Sequence, residues 1–458
     1  MKRADIFSRT RTGALTALAA VIALIAMAAP ARAQIRQREP NSEYAARRER
    51  LRAQVDAPVV IFGYTGRESA SEAYVFNQDT NFYYLTGHNE EGAALLIIPN
   101  GAAAKGWTGS NEVFYLPPRN PALERWNGPR IGPDDPGAHE KTGFAEVRQF
   151  SALVADLKTL AKNHSTLYTL LPGRNDAGYP HLQNWTDWLA KNDPDVKLVQ
   201  IAPKIGALRQ IKSQTEIALL TRAIELSVDA HLAAMKMMSP GLMEYQVAAR
   251  MLEIHQAGGC ETEAYAPIVG AGFNSTVLHY DKVGARIEDG DIVVLDVGGQ
   301  FSGYTADITR TLPANGKYTS RQREIYDVVY GAQQAALAVV KPGAHFGGAG
   351  GLQQIARDYM DAHGKDLHGA PLGKYFIHGL GHHLGLDVHD AGDPGRTLEP
   401  GMVITIEPGI YIPEEKIGVR IEDDVLVTET GYKLLTERLP RSADDVEKMM
   451  AQGKSGSR

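Results

Sequence analysis

The most constraining feature of this sequence is a set of acidic side chains at the ends of apolar strands between residues 292 and 422. Asp296 closes the run IVVLD, and Glu407 closes the run VITIE. Burial of several carboxylates at one place is too costly unless cations neutralise them. The set consists of five metal-ligand-type side chains: Asp296, Asp307, His382, Glu407 and Glu422. We therefore expect the chain to fold around a site for two divalent metals.

The spacing of these residues predicts how strands bring them together. Asp307 follows Asp296 by eleven residues, a spacing that suits two antiparallel strands joined by a turn at residues 298–300. Alternate residues of a strand share one face, so acids at strand ends can project into a common pocket. His382 lies in a glycine-rich loop, where the adjacent His383 fits a ligand equally well from the residues alone.

The donor types indicate the metal and the chemistry. Oxygen ligands with a single imidazole favour Mn²⁺ over a thiolate-type zinc site, with Zn²⁺, Co²⁺ and Fe²⁺ as alternatives. Two metals about 3.5–4 Å apart share a bridging water, lower its pKa and polarise a carbonyl group. The sequence contains neither G-x-S-x-G nor H-E-x-x-H, so the common serine hydrolase and zincin motifs are absent. Metal-assisted hydrolysis is the predicted reaction class.

The amino terminus has the organisation of a secretory signal peptide. Basic residues precede an apolar run from Ala14 to Ala29, and residues 31–33 (Ala-Arg-Ala) have the small-x-small form of a cleavage site. The run is shorter than the about 20 residues that a spanning helix needs, which argues against a stable membrane anchor. We expect cleavage after Ala33 and a periplasmic or secreted mature chain.

Charge and cysteine content limit the partners and the means of stabilisation. Residues 1–33 hold five basic residues and one acid, so their removal changes the net charge of -6 to about -10. An acidic surface argues against nucleic acid or anionic lipid as a partner. Cys260 is the only cysteine, which excludes an intramolecular disulfide. No base lies beside it in the sequence, so we expect an inert thiol.

The remaining chain is predicted to form two domains. Short apolar runs alternate with helical stretches over residues 34–202, which indicates an α/β domain. Ser213 and Glu216 then form a capping box that begins a long helix. Residues 203–450 show two helices followed by strands, twice over, which suggests a duplicated unit with the site between its halves. Residues 451–458 are predicted to form a flexible tail.

Five motifs in the second domain resemble the pita-bread metallopeptidases, the family of aminopeptidase P, prolidase and methionine aminopeptidase. They are LHY at 278–280, Asp296 with GYTADITRT at 303–311, HGLGHHLGLDVHD at 378–390, IEPGIY at 406–411 and VRIED at 419–423. Two further stretches resemble the first domain of aminopeptidase P, which methionine aminopeptidase lacks: NFYYLTG at 81–87 and ERWNGPRIG at 124–132. The resemblance covers nearly the whole mature chain. It implies an aminopeptidase-P-like α/β domain followed by a pita-bread α+β catalytic domain.

The resemblance also implies an activity and a set of ligands. Aminopeptidase P removes the first residue of a peptide when proline stands second, by means of a metal-bridging hydroxide. By the family's motifs, Asp307 and Glu422 bridge the two metals and Asp296 holds one of them. His382 and Glu407 hold the other, and Glu407 also carries a proton from the bridging water to the leaving nitrogen.

Further residues receive roles by the same resemblance. His279 and His389 position the substrate and stabilise the tetrahedral oxyanion. His378 and Tyr411 bind substrate, with His378 on the proline side of the pocket. Arg420 belongs to the substrate-binding set and also braces the ligand carboxylates.

The resemblance extends to assembly and to the choice between neighbouring histidines. Trp126 matches a position that, in bacterial aminopeptidase P, reaches the active site of a neighbouring subunit, which implies a homodimer or homotetramer. In the family's pattern His382 is the ligand, and His383 occupies a variable position without an assigned role.

Two other functions are compatible with the sequence. Prolidase shares every ligand but cleaves Xaa-Pro dipeptides, although the stretch W-x-G-x-R-x-G from residue 126 favours the aminopeptidase. A pita-bread domain that has lost catalysis would bind peptides only, but all five ligand residues are present here. The three functions give different results. The aminopeptidase cleaves tripeptides, the prolidase cleaves dipeptides alone, and the peptide-binding protein takes up no divalent metal.

Overall fold

A computed structural model describes residues 37–66, 76–99, 107–171, 180–393 and 395–455. The predicted signal peptide lies outside these residues. In the part of the chain that is described, none of the helices has the length and apolar character needed to cross a membrane.

The first part of the chain forms a six-stranded mixed sheet in the order β4-β3-β2-β1-β5-β6. Its strands are β1 (Val59–Phe62), β2 (Ala94–Ile97), β3 (Glu112–Leu116), β4 (Val147–Gln149), β5 (Thr166–Thr169) and β6 (Lys197–Gln200). Its helices are α1 (Asn41–Arg52), α2 (Thr80–Thr86), α3 (Pro121–Asn127), α4 (Ala138–Thr142), α5 (Leu153–Asn163) and α6 (Pro180–Asn192). Along β1, Val59 and Ile61 join one apolar cluster and Val60 joins another, because alternate side chains point to opposite faces of the sheet. Both faces of the sheet are therefore covered.

The second part is built from long helices and short antiparallel strands. Its helices are α7 (Ala202–Arg209), α8 (Gln214–Met237), α9 (Glu244–Gly258), α10 (Ser320–Leu337), α11 (Leu352–His363) and α12 (Ala443–Ser455). The predicted capping box is confirmed: the Ser213 hydroxyl accepts from the Glu216 N–H, and the Glu216 carboxylate accepts from the Ser213 N–H. Helix α12 occupies the first five residues of the predicted flexible tail. The predicted domain boundary near residue 203 falls at the start of α7 and stays a prediction.

Four small sheets carry the site. The strands between α9 and α10 are β7 (Thr262–Glu263), β8 (Ile268–Ala271), β9 (Ile292–Asp296), β10 (Gly299–Phe301), β11 (Tyr304–Thr305) and β12 (Thr309–Pro313). The strands between α11 and α12 are β13 (Val403–Ile406), β14 (Gly409–Ile412), β15 (Ile417–Arg420), β16 (Asp423–Val427) and β17 (Tyr432–Leu434). The strand orders are β11-β10-β7, β12-β9-β8, β13-β16-β17 and β14-β15. Single 3₁₀ turns occur at Phe150–Ala152, Gly272–Thr276, Leu372–Tyr375 and Pro413–Glu415.

The predicted turn at residues 298–300 is wrong. Strand β9 does pair antiparallel with a later strand, but that strand is β12, with Asp296 opposite Thr309. A separate hairpin, β10 and β11, lies between them and reverses at Ser302 and Gly303, which both have positive φ angles (53° and 85°). Positive φ at both central residues is what a tight two-residue hairpin turn requires. Asp307 therefore lies in the irregular segment between β11 and β12.

A buried ion-pair cluster joins the start of the described chain to the second part of the fold. Arg47 Nη2 lies 2.7 Å from Glu39 Oε1 and 3.3 Å from Glu216 Oε2. The Tyr304 hydroxyl donates to Glu39 Oε2 over 3.1 Å. All four residues are buried, and breaking one partner of such a cluster leaves an uncompensated charge.

Candidate active site

The ends of five separate segments place the predicted metal ligands together. Asp296 is the last residue of β9, and Asp307 immediately precedes β12. Glu407 follows β13, and Glu422 lies between β15 and β16. His382 comes from the glycine-rich loop that packs beside β13, where the Thr405 N–H donates to the His382 carbonyl over 2.9 Å.

Distances define the centre of this cluster. His382 Nε2 lies 3.3 Å from Asp307 Oδ2 and 3.5 Å from Glu407 Oε1. Ligand-type atoms of Asp307, His382 and Glu422 all lie within 4.8 Å of one another. Three donors at this separation can surround a single cation.

Asp296 and Asp307 are connected by a residue that the sequence analysis missed. The Tyr265 hydroxyl lies 2.6 Å from Oδ1 of both aspartates. The other oxygen of Asp296 accepts from Arg420 Nη2 over 2.5 Å. Tyr265 stands in the stretch EAYAP, which has no ligand pattern, so only the tertiary structure reveals its position.

Hydrogen bonds select His382 over His383 as the side chain at the cluster. His382 Nδ1 lies 3.0 Å from the His383 carbonyl, so Nδ1 carries the proton and Nε2 is left for a cation. The Thr405 hydroxyl accepts from the His382 N–H over 3.1 Å. His383 is 5% exposed, and its Nε2 lies 3.0 Å from the Gln210 amide. His383 is therefore committed to a different contact.

The electrostatics of the cluster fit a divalent cation. Burial raises the pKa of Asp307, raises that of Glu407 to about 7, and raises that of Glu422 well above its usual range. Burial lowers the pKa of His382, but the hydrogen bond and charge of Asp307 outweigh it and raise that pKa to about 9. Glu422 Oε1 is buried without a hydrogen-bond partner in the described chain. Like charges held this close, with one oxygen unsatisfied, form a donor set that a cation would complete.

A chain of hydrogen bonds extends from Arg420 to the predicted proline side. Arg420 Nη1 donates to the Tyr411 hydroxyl over 2.8 Å, and that hydroxyl lies 2.9 Å from His378 Nε2. His378 Nδ1 lies 2.8 Å from the Gly379 carbonyl. Burial, with the charge of Arg420, lowers the pKa of His378 to about 4, so this imidazole is neutral and can accept from Tyr411. Arg420 is 4% exposed and acts here on Asp296 and Tyr411.

Two cavities meet at the ligand cluster. The larger, about 550 Å³, contains all five predicted ligands, and its wall includes His279 and His389. The smaller, about 310 Å³, is lined by His378 and Arg420 and also reaches His279, His389 and three of the ligands. All five predicted ligands thus line the larger cavity, and three of them also line the smaller one.

Of the predicted site residues, Trp126 is the one that lies away from the ligand cluster and its cavities. It lies on α3 with 87% of its surface exposed. It lines neither cavity of the described chain. In a single copy of the chain, Trp126 therefore makes no contribution to the site.

Comparison with known proteins identifies the family. Residues 218–429 match Metallopeptidase family M24, and residues 44–168 match the aminopeptidase P N-terminal domain. Xaa-Pro aminopeptidase of Haemophilus influenzae is 34% identical over 445 residues, which cover 90% of this chain and 97% of the relative.

Solved structures show the same architecture. A putative aminopeptidase P from Bacillus anthracis superposes with a TM-score of 0.83 at 31% identity, covering 91% of this chain and 99% of that one. Aminopeptidase P from Escherichia coli with the inhibitor Pro-Leu gives 0.80 at 31% identity, covering 92% and 100%. The predicted fold class, an aminopeptidase-P-like domain followed by a pita-bread domain, is confirmed. The chain belongs to metallopeptidase family M24 and carries the aminopeptidase P N-terminal domain.

Proposed function

We propose that this metallo-aminopeptidase is exported and removes the first residue of peptides with proline in second position, using two divalent cations. The observation that carries the proposal is the convergence of Asp307, His382 and Glu422 within 4.8 Å, in a chain that is similar over 90% of its length to Xaa-Pro aminopeptidases. Family membership implies divalent metal ions. Their number and identity are part of the proposal.

Asp307, His382 and Glu422 lie close enough to hold one cation, and Asp296 and Glu407 line the same cavity, where they would complete the donors for a second. In the arrangement that we propose, Asp307 and Glu422 would be shared by the two cations, Asp296 would hold one of them, and His382 with Glu407 would hold the other. The oxygen-rich donor set favours Mn²⁺, with Zn²⁺ and Co²⁺ as alternatives. When bound, such a pair of cations acidifies a water molecule and polarises the carbonyl of the scissile bond.

Glu407 is assigned the proton transfers. Its side chain is 17% exposed, and its Oε2 lies 3.8 Å from His378 Nδ1. Its Oε1 lies 3.5 Å from His382 Nε2, so the carboxylate faces the ligand cluster and is placed to exchange a proton with a water bound there. Glu407 would accept a proton from the attacking water and deliver it to the proline nitrogen as the bond breaks.

The histidines around the cluster would bind and orient the peptide. His279 and His389 line both cavities, where an imidazole N–H can donate to an oxygen that gains negative charge. The His389 and His382 rings lie 4.3 Å apart, centroid to centroid. His378, held by Tyr411, lines the smaller cavity, which we assign to proline. Aminopeptidase P from Escherichia coli has been solved with the inhibitor Pro-Leu, which supports binding of a proline-containing peptide by this fold.

The decisive experiment uses protein that starts at Gln34, stripped of metal and then given Mn²⁺. Mass spectrometry follows a tripeptide of the Arg-Pro-Pro type beside a dipeptide of the Gly-Pro type. Release of the first residue from the tripeptide, abolished by a chelator, is the expected result. Cleavage of the dipeptide alone would identify a prolidase. Silence on both peptides with every divalent metal would leave peptide binding as the function.

Glu407→Ala tests the double role of this carboxylate. We expect turnover to fall by at least about a hundredfold, since both a ligand and a proton carrier are lost, and the Mn²⁺ affinity measured by calorimetry to weaken. Glu429→Ala, which changes an exposed carboxylate outside both cavities, is the matched control. Near-normal turnover in Glu407→Ala would refute the assignment.

Export is tested by expressing the full chain in a Gram-negative host. We expect the protein in the periplasmic fraction with Gln34 as its first residue, because residues 31–33 form the proposed cleavage site. A cytoplasmic protein that keeps its leader would contradict this part of the proposal.

A further inference from the structure

One loop at the mouth of the larger cavity is held by a buried carboxylate. Glu244, the first residue of α9, has no exposed surface. Its Oε2 accepts from the Tyr280 hydroxyl over 2.9 Å and from the Ala285 N–H over 2.8 Å. Its Oε1 accepts from the Ala271 N–H over 2.9 Å. Two hydrogen bonds to Glu244 therefore hold the loop at residues 279–286 against the start of α9.

The same loop contains a strained backbone. Val283 has a φ angle of 38°, an unfavourable value for a β-branched residue. Such a conformation persists only where surrounding contacts enforce it, and it concentrates at ligand-binding and catalytic positions. The two hydrogen bonds to Glu244 are contacts of this kind. The loop is therefore pre-organised, and Asp281 lies within it, between the two residues that bond to Glu244.

Asp281 brings an uncompensated charge to the cavity. It is exposed, and it lines the larger cavity. Four other carboxylates of that cavity are proposed metal ligands, and Asp387 accepts from Arg209 Nη2 over 2.7 Å. Asp281 has no ion-pair or hydrogen-bond partner within the described ranges. Among the acids that line this cavity in the described chain, it is the one that neither binds a proposed cation nor contacts a basic side chain.

The two cavities therefore differ in charge. No lysine or arginine is among the described residues that line the larger cavity, whereas Arg420 lines the smaller one. The wall of the larger cavity also includes Gln300, whose Nε2 donates to the Gly303 carbonyl over 3.4 Å. Gln300 Oε1 has no hydrogen-bond partner in the described structure. This wall carries the negative charge of Asp281, and its described residues include no lysine or arginine.

We infer that Asp281 makes this protein select peptides whose first residue is basic, lysine or arginine, ahead of proline. The inference rests on the proposed function. If proline occupies the smaller cavity and the scissile bond lies at the ligand cluster, the first side chain extends into the larger cavity. Its volume of about 550 Å³ lies within the range of small-ligand sites and accommodates a long basic side chain.

The test compares peptides that differ by one charge. Arg-Pro-Pro and its citrulline analogue have nearly the same shape, but citrulline is neutral. We expect kcat/KM to be about fivefold higher for the arginine peptide, the effect of one ion pair at a solvated site. Equal values for the two peptides would overturn the inference while leaving the proposed function intact.

Variants assign the preference to Asp281. In Asp281→Asn the ratio of the two kcat/KM values should fall toward one, and Asp281→Lys should favour Glu-Pro-Pro over Arg-Pro-Pro. Asp195→Asn removes the same charge from an exposed loop of the first domain and should keep the wild-type ratio. An unchanged ratio in Asp281→Asn would show that another residue is responsible.

A binding measurement separates this inference from the catalytic proposal. Calorimetry on Glu407→Ala, at an Mn²⁺ concentration that saturates its weakened metal site, compares the affinities of the same arginine and citrulline peptides. We expect the arginine peptide to bind about fivefold more tightly, with the difference lost when Asp281→Asn is added. If neither peptide is cleaved by the wild type but this difference appears, the proposed catalysis fails and the selectivity stands; equal affinities would refute the selectivity.

Discussion

Removal of the Tyr265 hydroxyl gives the sharpest test of how the site is held. Oδ1 of Asp296 and Oδ1 of Asp307 both lie 2.6 Å from this hydroxyl. A phenol has one proton, so at any moment it donates to only one of the two carboxylates. Tyr265→Phe therefore removes one charge-assisted hydrogen bond and leaves the ring packing in place.

The magnitude follows from that single bond. A hydrogen bond to a charged group contributes about 1.5–3 kcal/mol, and loss of a residue that orients a metal ligand weakens metal binding by about 10- to 100-fold. We expect a loss in this range for the more weakly bound Mn²⁺. Because Arg420 still donates to the other oxygen of Asp296, that carboxylate keeps one anchor and the loss is not complete.

Calorimetric titration of metal-free protein with Mn²⁺ provides the assay. Tyr326→Phe is the matched control, because it removes another buried phenol hydroxyl, one that donates to the Arg441 carbonyl over 2.7 Å. The control should keep the wild-type Mn²⁺ affinity. If Tyr265→Phe binds Mn²⁺ within about threefold of the wild type, a smaller loss than one charged hydrogen bond predicts, the phenol does not organise the ligands.

Three further predictions address other parts of the chain. Trp126→Ala should raise KM for tripeptides if a neighbouring subunit supplies this side chain; unchanged kinetics would count against the oligomer. Burial raises the pKa of the Cys260 thiol to about 12, so alkylation of the native protein at pH 8 should be about a thousandfold slower than for a free thiol; rapid labelling would contradict this. Burial lowers the pKa of His231 to about 3. Between about pH 3 and 6.5 this imidazole therefore binds a proton in the unfolded chain but not in the folded one. The free energy of unfolding should then fall as pH falls, by up to about 1.4 kcal/mol per pH unit. His231→Gln should flatten that dependence in urea titrations between pH 6.5 and 5, and identical slopes would refute it.

The sequence predicted the positions of the ligands better than the contacts that hold them. Acids that end apolar strands, such as Asp296 and Glu407, are visible because the strand and its terminal charge are local features. The Tyr265 contacts span 31 and 42 residues, and no local pattern reports them. The same holds for Glu244, whose partners lie on β8 and on the loop beyond it.

The wrong turn at residues 298–300 has a different cause. A Cβ atom at Gly298 would overlap the Ala306 carbonyl oxygen, and one at Gly299 would lie 2.8 Å from Cys260 Sγ. These glycines allow close approach of backbone and side chains, whereas Ser302 and Gly303 supply the turn. A glycine pair in a sequence fits both uses, and only tertiary packing distinguishes them.

The cluster of Glu39, Arg47, Glu216 and Tyr304 has a consequence for the order in which the molecule is made. Glu39 is synthesised early, yet its hydrogen bond to Tyr304 spans 265 residues of chain. Contacts between distant residues form slowly, because the entropy of the intervening chain is lost before the contact is gained. A nascent chain that has not reached residue 304 should therefore leave its amino-terminal segment open to proteases. The segment that contains Glu39 should become resistant only after the hairpin that precedes Asp307 has been made.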